Sequence, residues 1–185
     1  MDSQIISAII NGGCVLLGAL LGILFSNTKP FKLRKNKYGN YTLPDPFPCS
    51  SVFYEGVCSL SDSKQLTFDF GKFDNSEKGT AFISMVYSFP NAISLVKAKK
   101  LSFDISFEGS NCTQVDLEIK SKSNSFSSSC FRKNSIEHFE ISFANTVDKN
   151  VLRCVKEICF VIKPTYHDKD KQCKGMIAIS NLILS

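Results

Sequence analysis

Lysine and arginine side chains beside predicted turns carry the clearest chemistry in this sequence. They form three clusters: Lys97, Lys99 and Lys100; Arg132 and Lys133; and Lys169, Lys171 and Lys174. Ammonium and guanidinium groups make charge-assisted hydrogen bonds with phosphate oxygens, and binding residues of a β-scaffold usually lie on loops. We interpret these cations as candidate contacts to an anionic, nucleotide-like ligand; the alternative is that they are ordinary solvated lysines. Arg132 and Lys133 rank first, because the serine-rich segment 123–129, predicted to be a loop, adds hydroxyl donors.

The remaining polar residues offer little catalytic or metal-binding chemistry. His138 falls on the polar face of a predicted strand, and His167 falls in a predicted loop with Asp168 and Asp170. A metal site in that loop is conceivable, but polar loop residues are more often simply solvated. The sequence has no hydrolase-like order of Ser, His and Asp, no glycine-rich phosphate loop and no zinc-binding Cys and His spacing. We therefore expect no enzymatic activity, no cofactor and no metal.

The cysteines leave the redox environment of the protein open. Of the eight, Cys14 lies in an apolar N-terminal segment. Seven remain, an odd number, and none of them forms a CxxC pair. Cys49 and Cys58 flank a predicted turn and could form a disulfide in an oxidising compartment. The alternative, which we favour, is that the cysteines are free thiols buried as small hydrophobic residues.

The N-terminal segment from Ile5 to Phe25 has the length and composition of a transmembrane helix. It has 21 residues without a charge, and a helix of that length spans roughly 30 Å. Five cations follow it within residues 29–37 and none precedes it, which favours a cytosolic C-terminal domain. The sequence thus predicts a single-pass protein of the cell (inner) membrane. Two glycosylation sequons, at Asn40 and Asn111, would indicate the opposite orientation.

Small and polar residues within this segment indicate self-association. Gly18 and Gly22 have the spacing that lets helix backbones approach closely, and Asn11 could pair with a second copy. We expect the lipid bilayer and a homo-oligomer as partners. The predicted domains are an anchor over residues 1–27, a basic, proline-rich linker over 28–48 and a β-sandwich over 49–185.

After residue 50 the apolar residues recur at every second position. Leu101, Phe103, Ile105 and Phe107 alternate with polar residues, and similar patterns recur near 66–70, 115–119 and 139–143. This period is typical of half-buried antiparallel strands. From Asp45 onward the sequence has 17 Lys and Arg and 16 Asp and Glu, a net charge of +1. A nearly neutral domain is not expected to bind duplex nucleic acid. The predicted fold class is an N-terminal single transmembrane helix plus an all-β, jelly-roll-like antiparallel sandwich.

Residues 60–185 resemble the jelly roll of galactose-binding domains and carbohydrate-binding modules. The resemblance is carried by the rhythm of four stretches: 101–109, 139–143, 158–162 and 175–184. It implies a sugar-binding sandwich, although the chain has no tryptophan to stack on a pyranose ring. Tyr54, Tyr87 and Tyr166 could stack on the sugar ring instead.

The overall layout of anchor, linker and β-domain is similar to that of small bacterial membrane effectors of antiviral signalling. Some of these, associated with CRISPR systems, recognise cyclic oligoadenylate. The leading hypothesis is therefore a non-enzymatic membrane effector whose cytosolic domain binds a cyclic nucleotide or another anionic ligand. The alternatives are an outward-facing envelope or surface protein that binds glycan or protein, and a viral membrane protein with structural disulfides.

Overall fold

Ten β-strands and two short helices make up the described part of the chain. The computed structural model describes residues 33–50, 57–70, 81–107, 110–163 and 174–185. The strands in chain order are β1 Phe47–Ser50, β2 Val57–Leu60, β3 Gln65–Asp69, β4 Ile83–Ile93, β5 Lys100–Ser106, β6 Gln114–Ser121, β7 Ser125–Phe131, β8 Ile136–Ser142, β9 Val155–Ile162 and β10 Lys174–Leu184. The helices are α1 Phe143–Thr146 and α2 Lys149–Arg153.

The strands form two five-stranded antiparallel sheets. Sheet A has the order β1-β4-β9-β6-β7, and sheet B has the order β2-β3-β10-β5-β8. Strand β9, whose residues 158–162 are apolar on both faces, occupies the centre of sheet A, as predicted. The antiparallel β-sandwich predicted from the period of two is confirmed.

The alternating residues of each strand place one face of each sheet in a common core. Leu101, Phe103 and Ile105 are fully buried on β5, whereas Asp104 between them is not. Phe103 of sheet B meets Phe160 of sheet A edge to face, with ring centroids 4.9 Å apart. This is a favourable geometry for aromatic pairs, and it joins the two sheets at the centre of the core.

The residues before β1 attach to the sandwich. Leu33, Tyr41 and Leu43 pack against the core, and Tyr41 forms isolated bridges with Lys35 and with Leu184 at the end of β10. Pro48 lies in β1, which is an edge strand of sheet A and therefore tolerates a residue without an N–H. The part of the predicted linker that the structure describes thus contacts the domain.

The predicted fold class and localisation need correction. The predicted span from Ile5 to Phe25, with Asn11, Gly18 and Gly22, lies outside the described residues. Among the residues that are described, no helix is long and apolar enough to cross a membrane. We correct both predictions: the described chain is an all-β antiparallel sandwich with two short helices, and it contains no spanning helix on which a single-pass localisation could rest.

Candidate functional site

The first-ranked cations, Arg132 and Lys133, lie in the connection between β7 and β8. The Arg132 Nη1 group donates a hydrogen bond of 2.5 Å to the carbonyl oxygen of Ser110, and its guanidinium lies over the ring of Phe107. The backbone N–H of Lys133 donates to the carboxylate of Glu137. Both residues therefore contribute to the local structure of this connection.

The serine-rich segment beside them is a strand and not the predicted loop. Residues 125–131 form β7 at the edge of sheet A, paired only with β6 among the described strands. Cys130 on this strand is buried in the core, whereas Ser125, Ser127 and Ser129 are exposed. The hydroxyls thus line an outer face of the sandwich and do not surround Arg132.

The third predicted cluster is described only in part. Lys169 and Lys171 lie outside the described residues, as do His167, Asp168 and Asp170. Lys174 is the exposed first residue of β10, and its backbone N–H donates to the side-chain oxygen of Asn111 over 3.0 Å. In the described ranges, no group of three or more His, Cys, Asp or Glu side chains is arranged to hold a metal ion.

The first cluster is divided by the fold. Lys97 and Lys99, in the connection between β4 and β5, line a cleft of about 500 Å³. Lys100 begins β5 and forms an ion pair of 2.6 Å with Glu140 on β8. The structure adds Lys149 of α2 to the cleft, a residue that sequence reasoning did not select because it is 50 positions away from Lys99.

The outer surface of sheet A, which we call the sheet A face, carries a connected set of hydrogen-bonded polar side chains. Residues two apart on a strand share a face, so the buried Leu117 leaves Asp116 and Glu118 on the outer side of β6. In register, Asp116 lies between Val161 of β9 and Ser129 of β7. Strands β6 and β7 therefore form the polar half of this face.

Asp116 organises that half. Its Oδ1 atom accepts hydrogen bonds of 2.8 Å from Gln114 Nε2 and 2.8 Å from the Ser129 hydroxyl. Its Oδ2 atom is 3.3 Å from the Lys163 ammonium. The side chain of Asp116 is 7% exposed, and a buried carboxylate requires such partners. The consequence is that Gln114, Ser129 and Lys163 are held in fixed positions at the surface.

The other half of the sheet A face, on β1, β4 and β9, is apolar. Val86, Cys159 and Val161 are buried there in a cluster separate from the core, and Cys49 and Phe82 pack against it. Phe131 stands at the opposite edge, on β7, directly across from Gln114 and 57% exposed. The exposed apolar group next to the polar half is therefore the Phe131 ring, whereas Val86, Cys159 and Val161 are covered.

Of the three tyrosines proposed for sugar stacking, the one that the structure describes, Tyr87, does not lie on this face. Tyr87 is buried in the core, where burial, and next the charge of Asp45, raise its pKa to about 12. Its hydroxyl lies 3.7 Å from the sulfur of Met85. Tyr54 and Tyr166 lie outside the described residues. Exposed rings on sheet A are those of Phe131 and Phe47. Sequence reasoning missed Phe131 because it placed the adjoining serines in a loop.

No model of a known protein family matches this sequence, and no curated protein matches it. Several solved structures are similar in fold. The family 11 carbohydrate-binding module from Clostridium thermocellum, in complex with a β-1,3-1,4-mixed-linked tetrasaccharide, is 19% identical, with a TM-score of 0.50 over 77% of this chain and 89% of that chain.

Two further structures extend this likeness. A carbohydrate-binding module of the β-sandwich superfamily, described as having promiscuous specificity, is 11% identical, with a TM-score of 0.51 over 86% of this chain and 63% of that one. An exo-beta-agarase is 11% identical, with a TM-score of 0.50 over 78% of this chain and 24% of that one. This chain therefore spans less than two thirds of these two proteins.

At such low identities the likeness shows the fold alone. The resemblance to the sandwich of carbohydrate-binding modules is confirmed at that level. The predicted resemblance to antiviral membrane effectors finds no support in these comparisons.

Proposed function

We propose that this domain is a non-catalytic module that binds a saccharide chain on the sheet A face. This was the alternative in the sequence analysis, and it replaces the membrane effector. The observation that carries the proposal is that the exposed ring of Phe131 lies beside the hydrogen-bonded groups around Asp116. A pyranose ring has the same two kinds of surface, hydroxyl groups at its edges and C–H groups on its faces.

The polar half suits recognition of hydroxyl groups. Gln114, Ser129 and Lys163 are already held by Asp116, so little side-chain freedom is lost when a ligand binds. Gln114 Nε2 also lies 3.0 Å from the Ser129 hydroxyl, which links the two residues directly. We assign Asp116 a positioning role, because it is itself almost covered.

Phe131 supplies the surface on which a sugar ring can stack. Its ring is 57% exposed on an edge strand, beside Gln114 in the register of β6 and β7. Sites of this kind pair an aromatic or apolar surface with a few fixed polar groups. Phe131 thus provides the aromatic ring for sugar stacking in a chain that has no tryptophan.

Calorimetric titration of the full chain with neutral oligosaccharides tests this proposal, and the mixed-linked β-1,3-1,4-tetrasaccharide is the first probe. We expect Phe131→Ala and Gln114→Ala each to weaken binding by at least about tenfold, or about 1.4 kcal/mol. Ile136→Ala is the matched control, because Ile136 is 63% exposed on the edge strand of the other sheet. Absence of binding across a panel of β-glucans, agaro-oligosaccharides and galactosides would overturn the proposal, as would equal losses in the control.

A further inference from the structure

One end of the sandwich carries a cleft that is distinct from the sheet A face. Its walls are the connection between β4 and β5 on one side and the helices α1 and α2 on the other. The cleft has a volume of about 500 Å³, within the range of about 300–1,000 Å³ that is typical of small-molecule sites.

Three lysines converge on this cleft without an acidic partner. Lys97, Lys99 and Lys149 are exposed and line it together. None of them forms an ion pair within the described residues. Two acids close in sequence to cleft residues have other partners. Glu140, two residues before Ser142, pairs with Lys100, and Asp148, next to Lys149, accepts the backbone N–H of Asn150 over 2.7 Å. Like charges in one cleft repel each other, and an anion removes that repulsion.

The inner surface of the cleft is apolar. Ala98, Phe143 and Leu152 line it and are 6%, 2% and 3% exposed. The hydroxyl-bearing Ser142 lies at the same wall. A ligand that fits this lining has an anionic group for the lysines and a second part with an apolar face.

Backbone hydrogen bonds hold the two walls together. The N–H of Leu95 donates to the carbonyl oxygen of Leu152 over 2.7 Å. The N–H of Phe143 donates to the carbonyl oxygen of Lys99 over 2.9 Å. The N–H of Lys99 in turn donates to a main-chain oxygen of Ser185 over 2.5 Å. The backbone that carries the lysines is therefore fixed before a ligand arrives, which lowers the entropic cost of binding.

We propose that this cleft binds the phosphate group of a small phosphorylated molecule. A phosphate carries nearly two negative charges at neutral pH and several acceptor oxygens, and lysine binds it as a point charge. The remainder of the molecule packs on Phe143 and Leu152. The site shares no residue with the sheet A face, so this proposal does not rest on saccharide binding there.

The test titrates the full chain with three probes: inorganic phosphate, adenosine monophosphate and a hexose 6-phosphate. We expect at least one of the two esters to bind at least about tenfold more tightly than inorganic phosphate, since only an ester reaches the apolar lining. Affinity is expected to fall between about 50 and about 200 mM salt. The stronger of the two esters shows whether the cleft prefers a nucleoside or a sugar next to the phosphate.

The decisive variant replaces Lys97, Lys99 and Lys149 with Gln. We expect it to lose at least about tenfold in affinity for the ester that binds. The matched control replaces Lys37, Lys122 and Lys133, three exposed lysines outside the cleft, with Gln and changes the net charge equally. If the triple variant fails to fold, Lys149→Gln alone should still weaken binding, whereas Lys149→Arg, which keeps the charge, should not. The proposal is overturned if neither ester binds below about 10 mM, or if the control weakens binding as much as the cleft variant.

Discussion

The cysteine thiols show how burial decides the chemistry of single residues. Cys112, Cys130 and Cys159 are buried, and burial raises their pKa values to about 11, 12 and 12. The pKa of Cys58 is also raised, by burial and then by the neighbouring Cys49. Because the thiolate is the reactive form, the three buried residues are inert at neutral pH. All six described cysteines are free thiols, the alternative that the sequence favoured.

Alkylation rates test this assignment. At about pH 8, iodoacetamide should modify the exposed Cys154 at least about 100-fold faster than Cys112, Cys130 or Cys159. Denaturant should remove the difference, which peptide mass spectrometry of the digested protein follows residue by residue. Rapid modification of Cys159 in the native protein would contradict the buried apolar half of the sheet A face, and Cys154→Ser provides the background rate.

At the scale of single elements, strand β10 contains an irregularity that orders three polar side chains. Its register against β5 shifts between Ser180 and Ile183, and Asn181 adopts a left-handed backbone conformation with a φ of 49°. Asn181 Nδ2 donates to Asp104 Oδ2 over 2.6 Å, and His138 Nδ1 lies 2.6 Å from Asp104 Oδ1. These contacts, the Asn181 hydrogen bond first, lower the pKa of Asp104.

Substitution of Asn181 separates backbone strain from hydrogen bonding. Asn181→Ala should lower the free energy of unfolding by about 1–3 kcal/mol, because it loses the hydrogen bond and places alanine in a left-handed conformation. Asn181→Gly loses only the hydrogen bond and should cost less. Urea denaturation at neutral pH measures both. Equal losses in the two variants would mean that the backbone conformation contributes no strain.

The pH dependence of the Asn181→Gly effect follows from the lowered pKa of Asp104. A carboxyl group whose pKa is lower in the folded state stabilises the fold above its unfolded pKa of about 3.9. That contribution is lost as the pH falls through the folded value. The destabilisation by Asn181→Gly should therefore be full at neutral pH and smaller near pH 2. A constant difference between these conditions would show that Asp104 is not the partner that matters.

The sequence predicted the regular strands better than the pieces that build the candidate sites. The alternation of Leu101, Phe103 and Ile105 with polar residues gave β5 directly. Strand β7 was missed because serines occur on both of its faces, so that apolar and polar residues do not alternate regularly along it. Helix α2 has five residues, too few for a helical repeat, so the approach of Lys149 to Lys97 and Lys99 could not be predicted. Pairing across sheet A, which brings Gln114, Asp116 and Ser129 together, is likewise fixed by long-range packing.

For the molecule as a whole, cohesion between the two sheets depends on aromatic packing. Phe160 of sheet A touches rings on both sides of the core: Phe103 of sheet B at 4.9 Å and Tyr87 of its own sheet at 6.2 Å between centroids. Phe103 in turn stacks on Phe139 with centroids 5.6 Å apart. These rings form one chain of contacts across the sandwich, so a single deletion at Phe160 affects both sheets.

Phe160→Ala should lower the free energy of unfolding by about 3–5 kcal/mol, because a fully buried ring is lost and the sandwich cannot close the cavity. Phe160→Leu keeps most of the volume and should cost clearly less. Phe131→Ala removes the same side chain from a position that is 57% exposed, and its effect should stay within about 1 kcal/mol. Urea denaturation compares the three variants. If Phe131→Ala destabilises the protein as strongly as Phe160→Ala, the ring at position 131 supports the fold, and its loss could not be used to locate a saccharide on the sheet A face.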